Sequence, residues 1–127
     1  PQSLGSEEWF DYLVEKREKA YTSEGLKDAK SKAVNESISD WNGFHLKPRV
    51  IMIPVEKETP SLIAGVQAIG AKTMALTARG DSLLESTREQ LKSIGIDLNV
   101  KAPYSKKITL KKKEGTATYN KGLLLLG

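Results

Sequence analysis

The stretch Ala71–Gly80, AKTMALTARG, constrains this chain more than any other part of its sequence. Met74, Ala75 and Leu76 read as the core-lining part of a buried strand, Ala71–Leu76. Thr77, Ala78, Arg79 and Gly80 then supply a hydroxyl, little bulk, a fixed cation and backbone freedom at the strand's carboxyl end, the edge where open α/β sheets place ligands. Pro60–Ile69 before it and Asp81–Ile94 after it carry helical periodicity. Helix, strand, helix is the order of a βαβ protein.

The remaining segments extend that order. Ser6 is placed to cap a helix from Glu7 to about Tyr21, with Glu7 and Glu8 in the first turn, where the helix dipole favours acids. A second helix is expected to start after Ser23 and reach Asp40 or Trp41, with Leu26, Ala33, Val34, Ile38 and Trp41 as its apolar stripe. Trp41–Arg49, containing Asn42–Gly43 and Lys47–Pro48, reads as a turn-rich crossover, and Val50–Pro54 as a short strand. Thr59–Pro60 opens the third helix; Leu62, Ile63, Val66 and Ile69 are its expected buried stripe and Gly70 its stop. Asp81 is expected to cap a fourth helix whose inner side carries Leu84, Thr87, Leu91 and Ile94, with Gly95 ending it and Ile96–Val100 forming a strand. Around Lys113–Glu114–Gly115 the period changes to alternation, which predicts a hairpin, and Gly122–Leu126 reads as one more buried strand.

Composition narrows the chemistry. The absence of cysteine removes disulfides, zinc–thiolate sites and thiol catalysis, and the single histidine, His45, is expected at a turn or surface. The formal charge of +4 is local: residues 101–127 hold seven lysines and one glutamate. Lys101, Lys106, Lys107, Lys111, Lys112 and Lys113 are expected to face solvent at a sheet edge, where lysines discourage sheet-to-sheet pairing. A nucleic-acid-binding domain is the lesser reading of this cluster, because only Tyr104 and Tyr119 interleave with it. No apolar run approaches the roughly 20 residues of a membrane span, and neither end reads as an intact signal peptide.

At the strand end, the Thr77 hydroxyl can donate to an anionic oxygen, and Arg79 can add charge and a forked hydrogen bond. The same residues can instead cap a turn and form a structural ion pair.

Ile53–Pro54, Thr59–Pro60, the Leu62–Gly70 helix, Met74 through Arg79, Thr87 with Leu91, and Ile94-Gly95-Ile96-Asp97 together resemble a little-characterised bacterial family of haloacid-dehalogenase-like (HAD-like) proteins. Leu4-Gly5-Ser6 and Trp9-Phe10 resemble the segment that follows the nucleophile loop in that family. The resemblance implies a partial, doubly wound parallel α/β core over residues 50–127, with a basic C-terminal β-hairpin, and a helical cap-like segment over residues 1–49. It implies that Thr77 binds the transferring phosphoryl group and that Arg79 lies beside it; these are the two phosphate-binding candidates.

HAD-like phosphohydrolases use a D-x-D pair, a later lysine and a late acidic motif holding Mg²⁺. Residues 1–127 contain no D-x-D, and Lys121 precedes the strand that the lysine should follow. The expectation is therefore an incomplete chain, or a naturally degenerated one. The parent would be a Mg²⁺-dependent phosphomonoester hydrolase acting on a small substrate, and these residues would be inactive, with no catalytic residue and no cofactor of their own. A non-enzymatic partner-binding or structural domain, self-associating through exposed sheet edges, is the alternative.

Overall fold

A computed structural model describes residues 4–46 and 51–127, and the chain divides into two units, Pro1–Pro48 and Arg49–Gly127. The first is a pair of helices, α1 (Glu7–Ser23) and α2 (Ala29–His45). Ser6 caps α1 as expected, its side chain accepting from the Trp9 amide at 3.2 Å. The second helix starts later than the sequence suggests, at Ala29, and runs through Asn42–Gly43 to His45. Leu26 falls outside it and is exposed, as is Ile38. Small residues at four-residue spacing, Ala29, Ala33 and Ser37, form the buried stripe instead, followed by Trp41 and His45.

Polar contacts tie this helix pair together. Arg17 donates to Ser37 Oγ at 3.0 Å and pairs with Asp40, and the Tyr21 hydroxyl donates to Glu36. That hydrogen bond holds the Tyr21 phenol above its ordinary pKa. His45 is not a surface residue: it is buried, and its Nε2 and Trp41 Nε1 each lie 3.1 Å from the Gly5 carbonyl.

The second unit contains α3 (Thr59–Ala68), α4 (Leu84–Ser93) and a four-stranded mixed sheet. Its strands are β1 (Ala75–Thr77), β2 (Ile108–Lys111), β3 (Thr116–Asn120) and β4 (Leu123–Leu125), in the order β1-β4-β3-β2. The sheet is therefore not parallel throughout: β1 and β4 pair in parallel, while β3 is antiparallel to both β4 and β2.

Two expected strands are not formed. Ile51–Pro54 is irregular, with Ile53 80% exposed; Val50 lies outside the described residues, as do Lys47–Arg49. Ile96–Val100 turns instead of extending, because the Asp97 carboxylate accepts from the Asn99 amide at 3.0 Å, a local bond that competes with sheet pairing. Ile96 and Leu98 are nevertheless buried with Leu123 and Leu125, and Ile63, Ala75, Leu84, Leu91 and Ile94 pack against them.

Strand alternation decides which of the central apolar residues reach this core. Ala75 does, whereas Leu76 is 63% exposed and Met74 is also exposed. The α3 stripe is corrected likewise: Leu62, Val66 and Ile69 face solvent. Its buried residue is Gln67, whose amide donates to Thr73 Oγ1 and to the Asp97 carbonyl, both at 2.9 Å.

The hairpin around Lys113–Gly115 forms, and a second tight turn, Lys121–Gly122, joins β3 to β4. Both of its residues have positive φ, 43° and 87°, the conformation of a type I′ turn. Gly122 is required there, since an added Cβ would sit 2.4 Å from the Leu98 carbonyl oxygen. Buried Tyr119 secures the turn: its hydroxyl accepts from the Gly122 and Tyr104 amides at 3.1 Å and donates to the Tyr104 carbonyl at 2.9 Å. Tyr119→Phe strands these groups and should destabilise the protein by about 1–3 kcal/mol in denaturant titration. A loss below about 0.5 kcal/mol would show that the hydroxyl is dispensable.

Candidate functional site

Two adjacent parallel strands, β1 and β4, end together, with Thr77 opposite Leu125. Beyond the strands the pairing continues: the Leu126 amide donates to the Thr77 carbonyl at 2.9 Å and the Gly127 amide to the Arg79 carbonyl at 3.2 Å. The backbone of the loop after β1 is thereby tied down residue by residue. Gly80 then leads into a 3-10 turn, Asp81–Leu83, which feeds α4.

Thr77 and Arg79 lie at this edge as the sequence places them. The Thr77 oxygen accepts from the Arg79 amide at 3.2 Å. Among the described residues, no acceptor takes the Thr77 O–H proton. A hydroxyl whose oxygen is fixed by one donor, and whose proton has no protein acceptor, can donate to a ligand oxygen.

Arg79 is arranged differently. Its guanidinium turns onto α4, where Nη1 donates to Thr87 Oγ1 at 2.9 Å and to Gln90 Oε1 at 2.7 Å. Both acceptors are buried, and burial lowers the Arg79 pKa from its ordinary value. The arginine is part of the helix–strand junction. Thr87 was legible as an inner-face residue; Gln90, three residues on and on the same face, was not, because glutamine has no apolar signal.

Asp81 does not cap the fourth helix with its side chain. Its carboxylate lies 3.7 Å from Lys107 Nζ, while Gly80 precedes the 3-10 turn and Leu83 precedes α4. The described residues contain no group of three or more His, Asp or Glu that could hold a metal ion.

Lys111, Lys112 and Lys113 are exposed beside the edge strand β2, as the sequence suggests. Lys112 Nζ donates to the Leu126 carbonyl, and to the Gly127 backbone oxygen at 3.2 Å. Sequence alone could not show this, because it depends on β4 lying between β1 and the hairpin.

Among the described residues, no helix is long and apolar enough to cross a membrane. The family described as "Protein of unknown function (DUF2608)" matches residues 1–126. No curated protein and no solved structure matches the chain.

The Arg79 anchor yields a prediction. Thr87→Val keeps shape but removes an acceptor from a partly buried cation, and should cost about 1–3 kcal/mol of unfolding free energy. Unchanged stability would mean that Arg79 does not depend on its seat on α4.

Proposed function

The chain belongs to the DUF2608 family, and we propose that it carries the phosphoryl-binding edge of a HAD-like phosphomonoester hydrolase. One observation carries this reading: the Thr77 hydroxyl, its oxygen fixed by the Arg79 amide, has a proton to donate at the shared carboxyl end of two parallel strands. That edge is where an open α/β sheet receives a ligand, and a hydroxyl donor suits a phosphoryl oxygen. Thr77 is the binding residue. Arg79 contributes positive charge beside it while its side chain anchors the loop to α4.

Hydrolysis needs an attacking group and a proton donor as well as charge stabilisation. In this reading both come from outside residues 1–127, so these residues bind phosphate without cleaving esters. Among the described residues β1 is an edge strand, which leaves room for the alternative, a partner-binding or self-associating domain. Nucleic-acid binding has less support, since no aromatic ring pair stands among Lys111, Lys112 and Lys113.

The two principal readings separate in one set of measurements. Isothermal titration of the protein with inorganic phosphate should show binding that Thr77→Val weakens at least about tenfold, a one-donor loss of about 1.4 kcal/mol or more. Residues 1–127 should release no phosphate from a panel of small phosphomonoesters, and the product of the complete gene should release it. Phosphate affinity indifferent to Thr77, or turnover by residues 1–127 alone, would overturn the proposal.

A further inference from the structure

The hairpin lysines come to the same sheet edge as Thr77. Because β3 is antiparallel to both neighbours, β2 runs in the direction of β1 and β4, and its carboxyl end carries Lys111, followed by Lys112 and Lys113. Lys111 pairs with Thr116. Continuing the β3–β4 register by two residues beyond Thr118 opposite Leu125 sets Thr116 opposite Gly127, whose amide bonds the Arg79 carbonyl. Lys111, Thr116, Gly127 and Arg79 thus form one row across the sheet.

Lys112 reaches further than its own strand. Its ammonium bonds the backbone oxygens of Leu126 and Gly127, at the end of the strand next to β1. Gly127 bonds the Arg79 carbonyl, two residues past Thr77, so this cation stands at the sheet edge where β1 ends. A phosphoryl group joined to a second anionic group by a short linker presents two charges to one such edge. The ammonium is exposed, has three donors, and can turn from backbone oxygens to an anion in solvent. Exposed Lys111 and Lys113 add charge of the same sign; Glu114 at the hairpin tip is the opposing charge. Lys107 lies 3.7 Å from the Asp81 carboxylate and offsets part of its charge.

We infer that this edge takes a phosphate ester bearing a second anionic group, such as a second phosphoryl or a carboxylate, held by Lys112 while Thr77 holds the first phosphoryl group. The inference rests on the Thr77 reading and adds the substrate class to it.

The test compares inorganic phosphate with methylenebisphosphonate, a two-phosphoryl probe that resists hydrolysis, by amide chemical shifts of the whole chain. The bisphosphonate should bind at least about tenfold more tightly, moving both the Thr77 and Lys112 signals. Lys112→Gln should abolish most of that advantage and leave phosphate affinity nearly unchanged, while Lys112→Arg should retain it. Lys72→Gln, at an exposed lysine before the amino end of β1, should have no effect. If phosphate moves Thr77 but the bisphosphonate is no tighter, or its advantage survives Lys112→Gln or is lost equally with Lys72→Gln, the second subsite is refuted and the phosphate reading stands. If neither probe moves Thr77, both fall.

Discussion

The parallel pairing of β1 with β4 is the interaction on which the second unit depends. It sets Ala75 opposite Leu123 and Thr77 opposite Leu125, so that the two leucines pack in the core beneath Leu84 and Leu91 of α4. The same pairing continues past the strands into the Thr77 and Arg79 carbonyls. Core and candidate site are therefore held by one ladder of hydrogen bonds. Burial of Leu123 and Leu125 supplies the hydrophobic contribution, roughly 1.5–3 kcal/mol for each fully buried side chain, and the ladder fixes the register of the loop above them. A shift of one residue would turn Thr77 and Arg79 to the opposite face of the sheet.

Arg79 shows how one residue can serve both fold and site. Its amide fixes the Thr77 oxygen, its carbonyl receives Gly127, and its guanidinium fastens the loop to Thr87 and Gln90. The two acceptors on α4, Thr87 and Gln90, are neutral side chains. This is a positioning role with an electrostatic consequence.

Much of this was legible in the chain because it is written in local chemistry. Ser6, Gly70, Gly95 and the Lys113–Gly115 turn stand where capping and turn rules place them, and Thr77 and Arg79 follow directly from a short apolar run before small polar residues. What failed depends on long-range partners. Ile51–Pro54 has strand-like composition but pairs with no strand within the described residues. Leu62, Val66 and Ile69 are apolar at helical spacing, yet α3 buries Gln67, whose amide finds its acceptors in Thr73 and Asp97. His45 looked superficial because a lone histidine near turn residues carries no sign of the Gly5 carbonyl forty positions away. The placement of Lys112 at the Thr77 edge required the strand order, which no local pattern encodes.

The central claim is that Thr77 binds a phosphoryl oxygen at the carboxyl end of β1. A crystal structure of the protein grown with inorganic phosphate tests it most directly. The account predicts phosphate density with an oxygen within about 3 Å of Thr77 Oγ1. Phosphate bound only on the hairpin lysines, with the Thr77 hydroxyl facing bulk water, would contradict it.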